Sequence, residues 1–397
     1  MQEIVDRLTS ADPAADIARR LLLPYLNHAA TMYESGYATR EDIDASMRFG
    51  CGYPIGPLAL VDALGAQTVV TGLEKMYVES GDELHQPAAV LTAQAADGSD
   101  FTTAVGDDAT PAPQLRLDVN RVGVVGTGTM AAGIVEVFAR AGYEVTFVGR
   151  GEDKVAGVLA TITQSLDKAV SRGKLDEDGR SDVLDRLTGT TEREALADAD
   201  IIIEAIAEDL GLKLALFADL DRIAKPGAIL ATTTSSLSIN ACAAATRRPQ
   251  DVIGMHFFNP ASVMKLVEVV TANNTSAEVD ETVRALCLAT GKHPVLCGDR
   301  AGFIVNALLF PYLNDAIRLH EADDISITEI DEALRATSLP MGPFQLLDVV
   351  GNDVSLAIQE SLVSTFGHAG WEPAPGLRRV VDEGKLGCKT GEGFHSY

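Results

Sequence analysis

A histidine and a glutamate, His256 and Glu268, lie in the apolar segment GMHFFNPASVMKLVEVV, residues 254–270. An imidazole has an ordinary pKa of about 6.5, so it can accept or donate a proton at neutral pH. A carboxylate beside it fixes its tautomer and stabilises its protonated form. The pair could therefore perform acid–base chemistry. Taken alone, His256 could also be a core histidine and Glu268 a surface residue, because histidine is often partly buried.

The elements that must position this pair alternate between two patterns. Short β-rich runs such as RVGVVG, EVTFVGR, ADIIIEAI, AILATTT and DVIGMHFF are separated by longer helical stretches. This alternation is typical of a parallel sheet with helices on both faces. From about residue 301 the strand patterns stop and helical periodicity continues. We therefore expect an α/β domain followed by an all-α domain.

The first of these runs ends in a glycine-rich turn, VGVVGTGTMAAGI, at residues 122–134. Gly126 and Gly128 hold the first two positions of a GxGxxG pattern, and Ala131 holds the third. Glycine allows the tight turn and the close approach of backbone to a pyrophosphate, which then faces the helix N-terminus. The strand–turn–helix context favours a Rossmann-type doubly wound fold over a turn without ligand. Thr129 and Met130 are further candidate cofactor contacts.

The end of the next strand bears on which dinucleotide binds. NAD-binding folds usually place a carboxylate there to accept hydrogen bonds from the ribose hydroxyls. Here the strand ends in Gly149 and Arg150. Glycine leaves room for the extra phosphate of NADP, and arginine can bind it bidentately. The sequence therefore favours NADP. NAD stays open, because Arg150 could be a solvated loop residue.

Composition narrows the class of partner. The chain has 397 residues and a net charge of −25, which disfavours binding to nucleic acid or anionic lipid. Its five cysteines form neither a CxxC pair nor a His/Cys cluster, so no metal site is expected. We find no secretory signal pattern and no apolar run long enough to span a bilayer. The sequence predicts a cytoplasmic protein.

An internal repeat organises the rest of the chain. LLLPYLN starts at residue 21 and LLFPYLN at residue 308, and both copies continue through a capping box to a P-[IM]-G-P turn. The Pro/Asp/Gly/Ala-rich residues between the first copy and the α/β region are typical of a linker. We predict a degenerate helical copy at 1–94, a linker at 95–119, the nucleotide-binding domain at 120–300 and a second helical copy at 301–397.

Seven motifs together resemble the L-3-hydroxyacyl-CoA dehydrogenases, including the 3-hydroxybutyryl-CoA dehydrogenases. They are GTGTMAAGI, EAIAEDLGLK, TSSLSI, GMHFFNPASVMKLVEVV, GKHPV, GFIVNALL and GKLGCKTGEGF. The resemblance extends over residues 120–397, and residues 1–94 resemble a second copy of that family's C-terminal domain. It implies reversible oxidation of a (3S)-3-hydroxyacyl-CoA to a 3-ketoacyl-CoA, with a short acyl chain expected, by hydride transfer to NAD(P).

The resemblance also implies roles for individual residues. His256 would be the catalytic acid–base and Glu268 its partner. Ser235 would hydrogen-bond the reacting oxygen, and Asn306 would hold the substrate or the histidine. The remaining matched positions are cofactor contacts at Glu208 and Lys213. They also include substrate contacts at Asn259, Ser165 and Arg172, with Lys174 an equally plausible substrate contact in place of Arg172.

Two other functions stay open at this point. A sugar-acid dehydrogenase similar to L-gulonate dehydrogenase would share much of this motif set. A catalytically silent nucleotide-binding structural protein would retain the fold alone.

The resemblance also implies that single-copy members of the family dimerise through the helical domain. We therefore hypothesise that the N-terminal copy occupies the partner's place and forms an internal pseudo-dimer. The first copy aligns Arg19 where the second has Asn306, so it should not supply that asparagine. The pseudo-dimer is compatible with a monomer or with further self-association.

Overall fold

The structure is a computed structural model that describes residues 2–102, 112–323 and 325–397. The chain divides into two compact units. Residues 1–109 and 301–397 form a helical unit that contains both repeat copies, and residues 110–300 form the sheet unit. The predicted class, a Rossmann-type sheet with all-α domains, is confirmed. Within the described residues, no helix is long and apolar enough to cross a membrane.

Helices and strands follow in chain order. The first copy contains α1 (Gln2–Thr9), α2 (Pro13–Glu34), α3 (Arg40–Gly50), α4 (Pro57–Leu64), α5 (Ala66–Ser80) and α6 (Ala89–Asp97). The sheet unit contains β1 (Arg121–Val125), α7 (Thr129–Arg140), β2 (Glu144–Val148), α8 (Glu152–Ser171), α9 (Glu177–Asp185), β3 (Leu187–Thr190), β4 (Ile201–Glu204), α10 (Leu210–Ile223), β5 (Ile229–Thr232), α11 (Ile239–Ala244), β6 (Val252–Phe257), β7 (Leu266–Thr271), α12 (Ala277–Ala289) and β8 (His293–Gly298). The second copy contains α13 (Val305–Asp323), α14 (Ile327–Arg335), α15 (Pro343–Val350), α16 (Asn352–Phe366) and α17 (Pro375–Asp382).

The described strands form one sheet in the order β3-β2-β1-β4-β5-β6-β7-β8. The pairs from β3 to β6 are parallel, β6–β7 is antiparallel, and β7–β8 is parallel again. Strands β4, β5 and β6 are buried along their whole length, as expected for a sheet covered on both faces. The chain reverses direction of travel across the sheet at β1, whose neighbours are β2 and β4. Ligands of such sheets bind at this switch point, beyond the carboxyl ends of the strands.

Within each repeat copy, equivalent polar contacts join the helices to one another. The PYLN asparagines of α2 and α13 each accept a backbone N–H, with Asn27 bonding Ala88 and Asn314 bonding Ala374, both at 2.8 Å. Asp44 accepts from the Leu58 amide in the first copy. These buried side chains satisfy backbone groups at helix starts that packing alone would leave unpaired.

In both copies an aspartate side chain packs directly over the glycine of the P-[IM]-G-P turn. Asp331 accepts from the amide of Phe344, the first turn of α15, at 2.9 Å. A Cβ on Gly342 would lie 2.3 Å from the Asp331 side chain, and one on Gly56 would lie 2.3 Å from Asp44. The carboxylate can therefore reach the helix N-terminus only over a glycine.

The structure differs from the predicted linker at both of its ends. Helix α6 continues to Asp97, and Phe101 is fully buried with its ring edge-on to Tyr33. At the other end, Arg116 pairs with Glu281 at 2.7 Å, so this segment packs on the sheet unit. The polar and glycine-rich composition of this segment predicts a solvated linker, so it gave no sign that Phe101 and Arg116 make these contacts. Residues 103–111 of the predicted linker lie outside the described residues.

Phe101 makes, in the first copy, the contact that a phenylalanine of the terminal KTGEGF segment makes in the second copy. In the second copy, Asp348 accepts from the amide of Phe394 in the terminal KTGEGF segment, at 2.9 Å. In the first copy, Asp62 accepts from the amide of Phe101, also at 2.9 Å. The first copy therefore closes with a shortened version of the same tail.

The two copies pack against each other through the longest helix of each copy, α2 and α13. The rings of Tyr25 on α2 and Tyr312 on α13 lie 6.0 Å apart, and His28 packs against Trp371 at 4.8 Å. α2 also contacts α14. The helical unit is thus built around a contact between equivalent helices of the two copies.

Candidate active site

Most of the predicted site residues of the sheet unit follow the carboxyl ends of parallel strands. The glycine turn follows β1, Arg150 follows β2, Glu208 follows β4, Ser235 follows β5, and His256 lies near the end of β6. Because these strands are parallel, their carboxyl ends share one edge of the sheet. The fold therefore brings residues from five separate segments to the edge where α/β sheets bind ligands.

His256 and Glu268 are directly opposite each other in the antiparallel β6–β7 pair. Side chains of directly opposed residues project from the same face of a sheet. The Nδ1 atom of His256 lies 2.6 Å from Oε2 of Glu268. Glu268 is fully buried and His256 is 7% exposed. The carboxylate therefore sets the orientation of the ring and favours a proton on Nδ1.

The glycine turn after β1 has the shape that a dinucleotide needs. Gly126 has a φ of 142°, and a Cβ there would lie 2.2 Å from the Ala205 carbonyl oxygen. Gly128 is the N-cap of α7, which has no side-chain cap, and a Cβ at Gly128 would meet open space. The first amides of α7 are thus not occupied by a capping side chain, and a helix N-terminus of this kind attracts phosphate. Thr129 is exposed and Met130 half-buried in this first turn.

Glu208 is the hydrogen-bond acceptor for the turn that carries Ser235. Its Oε1 accepts from the Thr234 hydroxyl at 2.5 Å and from the Ser235 amide at 2.9 Å, and the Ser235 hydroxyl lies 3.4 Å away. Burial raises the pKa of the Glu208 carboxyl, but the Lys213 ammonium and the bonds from Thr234 and Ser235 together hold that pKa below its ordinary value. The carboxylate therefore stays charged near neutral pH.

Lys213 was predicted to contact the cofactor, and the structure places its ammonium inside the protein. Only 1% of the residue is exposed. Its Nζ lies 2.6 Å from Glu204 and 3.3 Å from Glu208. Both contacts are internal to the sheet unit. A direct contact of Lys213 with the cofactor stays a prediction.

Arg150 lies immediately after β2 and is exposed. A Cβ on the preceding residue, Gly149, would lie 2.8 Å from Thr127 and 2.9 Å from Val155. A carboxylate at this position would need both neighbours to shift. The packing therefore explains why the usual ribose-binding acid is missing here.

The three predicted substrate contacts, Ser165, Arg172 and Asn259, differ in their surroundings. Ser165 on α8 donates to the buried Glu136 of α7 at 3.0 Å, so its hydroxyl is used between two helices. Arg172 is the C-cap of α8 and is exposed, as is Lys174. Asn259 is exposed in the segment after β6. Their predicted contacts with substrate stay predictions.

Asn306 belongs to the other unit. It lies in the first turn of α13 and is 7% exposed. Its predicted role also stays a prediction.

Sequence reasoning missed two residues that support the site. Glu204, at the end of β4, is fully buried and accepts from Lys213, Thr232 and the Ile206 amide. Lys292 donates to the carbonyls of Ala261 and Met264, within the segment that joins β6 to β7. A lone glutamate in the apolar run IIIEAI is the same signal that singled out Glu268, and it could have indicated Glu204.

A doubly wound sheet with a glycine-rich first turn at its switch point is the architecture of the dinucleotide-binding dehydrogenases. Residues 121–300 match the family model described as 3-hydroxyacyl-CoA dehydrogenase, NAD binding domain. Residues 17–107 and 302–397 both match the model of the C-terminal domain of the same enzymes. The chain belongs to the 3-hydroxyacyl-CoA dehydrogenase family. The predicted family, its oxidoreductase class and the duplicated C-terminal domain are confirmed.

Individual relatives agree with this assignment. The chain is 45% identical over 282 residues to 3-hydroxybutyryl-CoA dehydrogenase of Mycobacterium tuberculosis, an overlap of 70% of this chain and 99% of the relative. It is 41% identical over 300 residues to mitochondrial hydroxyacyl-coenzyme A dehydrogenase of Homo sapiens, an overlap of 71% and 92%. The crystal structure of M. tuberculosis FadB2 superposes with a TM-score of 0.68 at 44% identity and covers 70% of this chain and 99% of that one. The NAD-binding domain supports the use of NAD(H).

The glycine turn yields a first prediction. Gly126→Ala should abolish dinucleotide binding, because its φ of 142° and the 2.2 Å approach to the Ala205 oxygen leave no space for a methyl group. Binding is measured by the fluorescence of reduced nicotinamide on titration. Gly157→Ala on α8 is the control, since a Cβ there meets nothing within 4 Å. Normal binding by Gly126→Ala would show that the turn does not carry the cofactor.

Proposed function

We propose that this protein interconverts (3S)-3-hydroxyacyl-CoA and 3-ketoacyl-CoA, with a short acyl chain such as 3-hydroxybutyryl. The observation that carries the proposal is the 2.6 Å contact between His256 and Glu268 at the carboxyl edge of a family-type nucleotide-binding sheet. The relatives above include an enzyme named for 3-hydroxybutyryl-CoA, which supports the short chain.

In the oxidation direction the chain must remove a proton from a hydroxyl group. Because Glu268 engages Nδ1, proton exchange with a substrate goes through Nε2 of His256. The buried carboxylate stabilises the imidazolium that results. The Ser235 hydroxyl donates to the reacting oxygen. When bound, the dinucleotide would supply the hydride acceptor, its nicotinamide ring. The residues that would hold its pyrophosphate at the start of α7 are Gly126, Gly128, Thr129 and Met130.

The same residues weigh against one of the two alternatives, the catalytically silent protein. A silent nucleotide-binding protein has no need for a buried charged pair at this edge, since burying a carboxylate costs free energy unless it is paired. A sugar-acid dehydrogenase would share the acid–base pair, and assays with both substrate classes separate it from the present proposal.

We further propose that NADP is preferred to NAD. Gly149 excludes the ribose-binding carboxylate by its packing, and the exposed Arg150 adjoins it. A guanidinium can bind a phosphate through two parallel hydrogen bonds. The opposing contribution is the acidic first turn of α8, where Glu152 and Asp153 follow directly.

The N-terminal copy is proposed to act as the dimer partner of the C-terminal copy. The Tyr25–Tyr312 contact joins the equivalent helices α2 and α13, and His28 of α2 packs against Trp371 of the second copy. Arg20 also forms an ion pair with Asp323. The cytoplasmic location stays a prediction.

The acid–base pair is tested by His256→Ala. We expect a loss of turnover of about 10²–10⁴-fold, the usual contribution of a general acid–base, with cofactor affinity retained. The assay follows acetoacetyl-CoA reduction through the loss of reduced-nicotinamide absorbance. Glu268→Gln should reduce turnover as well, whereas Glu278→Gln, exposed on α12, should not. Full turnover by His256→Ala would refute the proposed role, and an inactive parent protein would refute the proposed reaction.

Cofactor preference is tested by Arg150→Ala. Loss of a charge-assisted hydrogen bond to phosphate should raise the KM for NADPH about 10–100-fold and leave the KM for NADH unchanged. Parallel assays with the two reduced cofactors measure this. The control is Arg121→Ala, exposed at the amino end of β1 and so at the opposite edge of the sheet. A parent protein faster with NADH, or an equal effect on both cofactors, would contradict the preference.

The pseudo-dimer is tested by removing residues 1–112. The apolar surface of α13 around Tyr312 would then be exposed, because it packs against α2 in the full chain. We expect the truncated chain to dimerise or aggregate. Light scattering after size-exclusion chromatography compares its mass with that of the full chain. A truncated chain that stays a stable monomer would overturn the hypothesis.

A further inference from the structure

A buried charge network lies beneath the turn that carries Ser235. Glu204 is fully buried at the end of β4. Its Oε1 accepts from Lys213 Nζ at 2.6 Å and from the Ile206 amide at 2.7 Å, and its Oε2 accepts from the Thr232 hydroxyl at 2.6 Å. One carboxylate therefore connects the ends of β4 and β5 with helix α10.

Two routes lead from Glu204 to the Ser235 turn. In the first, Lys213 lies between Glu204 and Glu208, and Glu208 accepts from Thr234 and the Ser235 amide. In the second, the Thr232 hydroxyl donates to Glu204 and accepts from the Thr234 amide at 3.3 Å. Glu204 itself makes no described hydrogen bond to Ser235.

Lys213 lies closer to one of its two carboxyl partners than to the other. Its contact with Glu204, at 2.6 Å, is shorter than its contact with Glu208, at 3.3 Å. The side chains of Glu204 and Glu208 thus share one lysine. Since Glu204 holds the ammonium on the inner side, the Glu208 carboxylate keeps its Oε1 for the turn. Lys213 contacts Oε2 of Glu208, and the turn contacts Oε1. Without the Glu204 carboxylate, Lys213 would move toward Glu208 and draw that side chain away from Thr234 and Ser235.

We propose that Glu204 is a positioning residue for the reaction: it anchors Lys213 and Thr232 so that Glu208 keeps the Thr234–Ser236 turn, and with it the Ser235 hydroxyl, in place. The part concerning turnover rests on the proposed function. The part concerning the turn rests on the hydrogen bonds alone.

The first test needs no substrate. Glu204→Gln keeps the shape of the side chain and removes its charge. In the full-length protein, hydrogen exchange of the peptide spanning residues 232–240 should accelerate about tenfold, as expected when a hydrogen bond to a charged acceptor is weakened. Thr232→Val interrupts only the second route, so it should act in the same direction and serves if Glu204→Gln folds poorly.

A matched control lies on the same helix. Asp221 of α10 is 6% exposed and pairs with Arg248 at 2.9 Å. Asp221→Asn removes a comparably buried charge away from the Ser235 turn. It should leave exchange of the 232–240 peptide and kcat unchanged. Unchanged exchange in both Glu204→Gln and Thr232→Val would overturn the proposal.

The second test is a double-mutant cycle on kcat. Glu204→Gln should lower kcat about tenfold without changing the KM for acetoacetyl-CoA, the pattern of a weakened transition-state contact. Ser235→Ala should then cost less in the Glu204→Gln background than in the parent, because its hydroxyl is already displaced. Additive effects would refute the coupling. If the parent does not turn over acetoacetyl-CoA, the proposed function fails, and the exchange result still decides the role of Glu204 in the turn.

Discussion

The antiparallel pairing of β6 with β7 is the constraint on which the site depends. The sheet runs parallel through β6 and then reverses, so two residues separated by a turn meet face to face as His256 and Glu268. A parallel partner for β6 would require a crossover connection and could not return the chain within this distance. The ladder hydrogen bonds fix the register, and a slip of one residue would turn the glutamate to the other face.

Buried carboxyl groups recur in this chain, and each of the three below is hydrogen-bonded. Glu268 bonds the histidine, Glu204 bonds a lysine, a threonine and an amide, and Asp331 accepts from the start of α15. A buried charge is costly unless it is paired or hydrogen-bonded. The acidic residues of this chain therefore do not all lie at its surface. A few acidic groups are fixed inside, where they orient other side chains.

Duplication has separated structure from chemistry in the two helical copies. Both copies retain the asparagine, the aspartates and the glycine turn that hold their helices together. Where the second copy has Asn306, the first has Arg19, which donates to the carbonyls of Leu8 and Ser10 at the end of α1. The internal contacts of the repeat have been kept, while the first copy uses the position matched to Asn306 to bind the end of an additional helix, α1.

The sequence by itself determined the class of fold, the glycine turn, the duplication and the His256–Glu268 pair, because these depend on local periodicity, on glycine geometry and on motifs contiguous in the chain. It did not determine that Phe101 belongs to the helical unit, since composition predicts solvation and only packing reveals burial. Nor could it show that Lys213 faces inward to Glu204. That outcome depends on how the ends of β4 and β5 and the start of α10 converge in space, and only the tertiary structure decides which carboxylate is nearest.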